Sequence, residues 1–116
     1  MYGADVVVGK LPPLSEASFL ILIALGGEDL HGYAIVQAVL DLSDGRVRLG
    51  AGTLYGALER MSNDGWVAPS RDEVVEGRLR RYYRLTSAGR SRALDETERL
   101  EANAAAARGR LAGGVA

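Results

Sequence analysis

The sequence predicts a mostly α-helical fold carrying a small β wing and prolonged by a long C-terminal helix. Three observations support this. Before Gly65, one stretch is apolar nearly all round and two carry apolar residues at helical spacing. The period shortens from 3.6 to 2 after Trp66, and helical spacing returns from Ser87 onward.

The elements follow in order. Residues 1–13, with the Val6-Val7-Val8 patch and the Pro12-Pro13 pair, read as an N-terminal arm that leads into a helix without belonging to it. Ser15 is placed to cap a first helix, and Glu16 suits the positive end of its dipole. The run from Ala17 to Leu25 is apolar nearly all round, which makes this helix central. Gly26-Gly27 stops it, and Glu28 and Asp29 face solvent in the turn. A second helix starts near His31 or Gly32, carries Tyr33, Ile35, Val36, Val39 and Leu40 at helical spacing to Leu42, and closes at Ser43-Asp44-Gly45. Arg46 to Leu49 alternate charged and apolar residues, as an extended link would. In the third helix Leu54, Ala57, Leu58 and Met61 form one buried stripe, while Gly52, Thr53, Gly56, Arg60 and Asn63 fall on the opposite side. Asn63-Asp64-Gly65 suits a helix C-terminus.

Trp66 and Val67 open a first strand, Val75-Glu76-Gly77 makes the turn, and Arg78 to Thr86 return. Alternation puts Leu79, Arg81, Tyr83 and Leu85 on one face and Arg78, Arg80, Tyr82 and Arg84 on the other, outward one. From Gly77 to Arg92 there are six arginines (Arg78, Arg80, Arg81, Arg84, Arg90, Arg92) and no acidic residue, in a chain whose net charge is −1. Such a local excess is the footprint of a phosphate-contacting surface. Three helices followed by a basic hairpin make a winged helix-turn-helix, spanning residues 14–86, in which the third helix enters the major groove and the wing touches the backbone. A groove roughly 12 Å wide favours a helix face as small as that of Gly52, Thr53 and Gly56. Arg60 lies on the same side, and Arg78, Arg80, Arg81 and Arg84 are the expected phosphate contacts.

From Ser87 to Leu111 the residues Ala93, Thr97, Leu100, Ala104, Ala107 and Leu111 recur at spacings of four and three, a weak heptad of small side chains. A helix over residues 87–112 would run roughly 37 Å, longer than the domain can cover, so part of it projects. Pairing with the same helix of a second copy is its natural use. Residues 113–116 form a tail.

Composition bounds the alternatives. Hydrophobic residues make up 47% and charged residues 25% of a 116-residue chain, as in an ordinary single globular domain. There is no cysteine, which excludes disulfides, thiol catalysis and thiolate metal sites. The longest apolar run, Phe19 to Leu25, is too short to span a membrane, and a cytoplasmic location is expected. Gly50-Ala51-Gly52-Thr53 lacks the lysine and the preceding strand of a nucleotide loop. His31, the only histidine, reads as a helix-start residue giving a hydrogen bond, so no metal is expected. Asp95, Glu96, Glu98 and Glu101 read as the solvated side of the last helix. No nucleophile stands with a base, so no catalytic residue and no cofactor is expected, and the chain reads as a non-enzyme. Trp66 reads as a core plug in preference to a stacking platform for an aromatic effector, and parity puts Tyr83 inside. The competing reading is a winged-helix protein-interaction module without direct DNA binding, whose mark would be an exposed apolar patch.

Four runs add a family resemblance: Leu14-Ser-Glu-Ala-Ser-Phe-Leu-Ile-Leu, His31-Gly-Tyr-Ala-Ile, Gly50-Ala-Gly-Thr-Leu-Tyr-Gly-Ala-Leu and Arg80-Arg-Tyr-Tyr-Arg-Leu-Thr-Ser-Ala-Gly. In order and spacing, from about Leu14 to Gly89, the chain resembles the PadR family of bacterial transcriptional regulators. The resemblance implies a regulator, most often a repressor, that binds a palindromic promoter site as a homodimer and responds to a small-molecule effector. It places the Gly-Thr-Leu-Tyr segment on the recognition helix, so Thr53 and Tyr55 take the expected DNA contacts, with Arg80 to Arg84 on the wing. It also makes the C-terminal helix the dimerisation element, in a short form without a larger C-terminal domain. Gly56 stands where many members of that family carry proline.

Overall fold

The structure, a computed structural model, describes residues 11–112. The Val6-Val7-Val8 patch and the tail at 113–116 lie outside the described residues. The elements are α1 (Glu16–Gly27), β1 (Leu30–His31), α2 (Gly32–Leu42), α3 (Ala51–Asn63), β2 (Val67–Val75), β3 (Arg78–Leu85) and α4 (Ser87–Ala107), which ends in a wider helical turn at Arg108–Ala112. The mostly helical winged fold with a long last helix is thus observed.

Helix α1 begins where Ser15 accepts a hydrogen bond from the Ser18 amide at 3.1 Å. Having no polar face to present, it sits at the centre and buries Leu20, Ile21, Leu22, Ala24 and Leu25. Ile35 and Val39 of α2 and Leu54, Ala57, Leu58 and Met61 of α3 close on it, with Val67 of β2 beneath. Each large side chain so buried contributes about 1.5–3 kcal/mol. The expected α3 stripe is buried throughout. Tyr33 and Leu42, expected in the α2 stripe, are instead 71% and 49% exposed. At 3.6 residues per turn Tyr33 lies roughly 200° round the helix from Ile35, on the far side from the core.

The sheet has three strands in the order β1-β3-β2, where the sequence reading anticipated two. Leu30 pairs with Tyr83 and His31 with Tyr82, so the segment read as a turn closes the free edge of β3. Two residues are too few to show a period of 2. The first strand begins at Val67, since the Trp66 amide is held by the Met61 carbonyl that ends α3. Glu76 and Gly77 both take positive φ (53° and 77°), the two-residue turn whose twist matches that of paired strands.

Helix α4 is rooted in the wing. The Thr86 hydroxyl caps it by accepting from the Gly89 amide at 3.0 Å, and donates to the Gly65 carbonyl at 2.6 Å. A Cβ on Gly89 would overlap the Trp66 carbonyl, so only glycine lets α4 start this close to the wing's base. Two expectations fail on this helix. Glu96, assigned to the solvated side, is 3% exposed, and Arg92, counted in the basic run, is 6% exposed. Arg92 donates to the Pro12 carbonyl at 2.6 Å, stands 3.8 Å from the Glu96 carboxylate, and lies over the Trp66 ring at 5.2 Å. Arg99 closes on the same carboxylate. The buried pair replaces solvent for both charges and ties α4 to the chain entering α1. Asp95, Glu98 and Glu101 are exposed. At 21 residues α4 runs roughly 31 Å, and the radius of gyration of 17.2 Å exceeds the roughly 13 Å of a compact domain of this size. Its distal half projects.

Candidate nucleic-acid interface

The outward face of α3 is small and polar. Gly52, Thr53 and Arg60 are exposed and Gly56 is half-buried, so that the backbone itself is the prominent surface along this side. Arg60 folds back along it, with one guanidinium nitrogen 3.6 Å from where a Cβ on Gly56 would sit. The Gly50 cap offers no side-chain oxygen to the first amides of α3.

Tyr55, placed at the groove by the family resemblance, is half-exposed, but its hydroxyl is turned toward α2. A Cβ on Gly32 would overlap that hydroxyl and stand 3.0 Å from the ring carbon bearing it. The residue therefore braces α3 against the start of α2 while remaining half-exposed. Between α3 and the wing lies a cleft of about 300 Å³ lined by Tyr55, Leu58, Glu59, Ser62, Pro69, Arg81 and Tyr83. Burial raises the Tyr83 phenol above its ordinary value, and the neighbouring Tyr55 adds to this. Glu59, absent from the sequence reading, puts a carboxylate in the cleft.

The wing's arginines divide by face. Tyr83 and Leu85 pack on the core, so the alternation that includes Arg78, Arg80 and Arg84 points outward. All three are exposed and take part in no ion pair among the described residues. Arg81, on the α3 side, is paired with Asp72 directly across the ladder at 3.5 Å. The opposing strand and turn also bring Glu73 and Glu76, which the count along Gly77 to Arg92 could not include. Arg90 is exposed, whereas Arg92 is withdrawn into the core.

On the outward face one cluster went unnoticed in the sequence. Pro69 pairs with Tyr83 and Asp72 with Arg81, leaving Ser70 and Arg71 together opposite Tyr82. In this bulge Ser70 donates to the Asp29 carboxylate at 2.5 Å, while the Arg71 guanidinium lies 3.7 Å over the Tyr82 ring. The Tyr82 hydroxyl donates to Glu73 at 2.7 Å, and the His31 ring meets Tyr82 edge-on at 5.2 Å. His31 Nδ1 in turn accepts from the Ala34 amide at 3.4 Å and caps α2, the hydrogen-bonding role expected of it. Burial, helped by the charge of Arg80, holds the imidazole below its usual range. Among the described residues no group of three or more acidic or imidazole side chains gathers at metal-binding distance.

The stripe proposed for pairing is used unevenly. Ala93 packs on the chain's own core and the Thr97 hydroxyl donates to the Ala93 carbonyl at 2.9 Å. Leu100 is 40% and Leu111 73% exposed, with Ala104 half-buried and Ala107 exposed between them. Trp66 is half-buried against the core, as a plug would be. No helix among the described residues is long and apolar enough to cross a membrane.

Residues 21–95 match the Transcriptional regulator PadR-like family. A transcriptional regulator of Mycobacterium tuberculosis is 38% identical over 81 residues, covering 70% of this chain and 72% of that protein. Among solved structures, a PadR family transcription regulator from Clostridium difficile superposes with a TM-score of 0.70 at 24% identity, over 84% of this chain and 99% of that one. Bacillus subtilis PadR, solved in complex with operator DNA, superposes with a TM-score of 0.59 at 20% identity, over 67% of this chain and 44% of that one. At these identities the structural likeness is one of fold.

Proposed function

Since this chain belongs to the transcriptional regulator PadR-like family, a family of regulators and not of enzymes, we propose that it binds promoter DNA as a homodimer. The observation that carries the reading is that a small, exposed α3 face (Gly52, Thr53 and Arg60, with Gly56 half-buried) is followed by a wing whose Arg78, Arg80 and Arg84 are exposed and in no ion pair among the described residues. The helix supplies sequence choice. The arginines supply affinity that falls with salt. The distal half of α4, with Leu100, Ala104, Ala107 and Leu111, joins two copies, and a two-fold dimer requires a palindromic site. Occupying a promoter site, the dimer acts as a repressor and is released by a small-molecule effector.

Thr53→Ala tests the helix assignment. It should narrow the preference for the upstream promoter duplex over random DNA and leave nonspecific binding intact. An equal loss on both duplexes refutes the role of Thr53 in sequence choice. A second reading, a protein-interaction wing, is favoured by one observation: Val74 and Leu79 face each other across the ladder, 69% and 63% exposed. Failure of the intact chain to bind any duplex would select it.

A further inference from the structure

The bulge in β2 carries an arginine that the run along β3 hides. Arg71 does not belong to that run, and strict alternation from Val67 would have put its side chain on the inward face with Val67 and Pro69. The extra residue redirects it onto the outward face, where its guanidinium carbon lies over the Tyr82 ring, 3.7 Å from the centroid. Arg78, Arg80 and Arg84 project from that same face. The stacking ring is itself fixed on two sides, by its hydroxyl bond to Glu73 at 2.7 Å and by the edge of His31 at 5.2 Å. Glu73 is a weak partner for the guanidinium, standing 3.9 Å from it while already accepting from the Tyr82 hydroxyl. The Arg71 side chain remains 54% exposed. A cation held over a ring keeps N–H donors available and surrenders little rotamer freedom when a phosphate arrives.

Resting on the DNA-binding reading above, we infer that Arg71 is a further phosphate-contacting residue of the wing and that Tyr82 positions it by stacking. The ligand is the DNA backbone, taken without regard to base sequence. Arg71 then works alongside Arg78, Arg80 and Arg84, whereas Arg81, held by Asp72 on the other face, is the least available of the wing's cations.

The test uses the intact chain, titrated by fluorescence anisotropy against the upstream promoter duplex and an unrelated duplex over a range of salt. Arg71→Ala should weaken both by the same factor, roughly tenfold, and flatten the slope of log affinity on log salt by about one unit. Arg71→Lys should restore the slope and only part of the affinity. Tyr82→Leu should weaken binding in the presence of Arg71 and add nothing in the Arg71→Ala background, while Tyr82→Phe, which keeps the ring but frees Glu73, should cost less than Tyr82→Leu. An unchanged affinity and slope in Arg71→Ala overturns the inference, as does a Tyr82→Leu cost that is the same with and without Arg71. Those outcomes leave DNA binding by the parent chain in view. A parent that binds neither duplex overturns the DNA reading and this inference together.

Discussion

The Tyr55 hydroxyl lies so close over Gly32 that a methyl group there would overlap it. The contact joins the two helices that a helix-turn-helix must hold at a set angle, through one residue from each of two motifs that the sequence shows separately. Tyr55 thus serves the packing of α3 on α2 as well as the surface of α3.

Gly32→Ala should accordingly cost about 1–2 kcal/mol in urea unfolding. Tyr55 is half-exposed and able to swing aside, so in a Tyr55→Ala background the same change should become neutral or stabilising, because alanine favours the helix. Equal costs in both backgrounds would contradict the contact. Gly89→Ala meets the Trp66 backbone instead of a mobile ring tip and should cost more than Gly32→Ala.

Removal of the Glu96 charge leaves Arg92 buried without a counter-ion. Glu96→Gln should destabilise the fold by about 3 kcal/mol. The Arg99 hydrogen bond, aided by the Leu14 amide and by Arg92, holds the Glu96 carboxyl below the usual range. A carboxyl lowered in the folded state contributes stability that is present above its unfolded value and is lost as pH falls through the folded value. The parent should therefore lose stability as pH drops below about 4.3, and Glu96→Gln should lose less over that window. Parallel stability curves for the two proteins would contradict this.

His31 gives a second, milder pH dependence. Its Nδ1 can accept the Ala34 amide only when the ring is neutral, and burial together with Arg80 lowers its folded value. The stability it contributes is present above about pH 6.5 and declines as pH falls through the lowered folded value. His31→Asn keeps a capping oxygen without a titrating proton, so its stability should be flat where the parent's declines. Urea midpoints between pH 7.5 and 5 check this, and a parent as flat as the variant would contradict it.

Pairing through α4 makes its own prediction. Leu100 and Ala104 follow the buried Arg92–Glu96 anchor of α4, and Leu100→Glu and Ala104→Glu should convert a dimer to a folded monomer by light scattering, with the helical content unchanged. A monomeric parent at micromolar concentration, or dimeric variants, would contradict the assignment.

Much of the fold was legible because its signals are local. The buried α3 stripe, the Ser15 cap, the break after Gly65 and the inward Tyr83 and Leu85 each depend on neighbours a few residues away. The features that escaped depend on distant partners. Arg92 and Glu96 look like solvated helix charges until the Pro12 carbonyl, eighty residues earlier, is brought to them. Strand β1 exists only because β3 offers an edge, and Tyr33 shared the apolar chemistry of its helix but not its buried side. At the candidate interface, the run of arginines was visible along one strand. The acids of the opposite strand, and the bulge that sets Arg71 on Tyr82, appear only when β2 is paired with β3.

The central claim is that α3 and the wing together hold promoter DNA. Its most direct test is a titration of the intact chain against the upstream intergenic duplex in the presence of excess random DNA, with Arg80→Ala/Arg84→Ala measured alongside. Binding that survives the competitor in the parent, and that weakens on all sequences with a salt slope flatter by about two units in the variant, is the expected result. Parent binding no stronger than to random DNA, or a variant indistinguishable from it in affinity and slope, would contradict the claim.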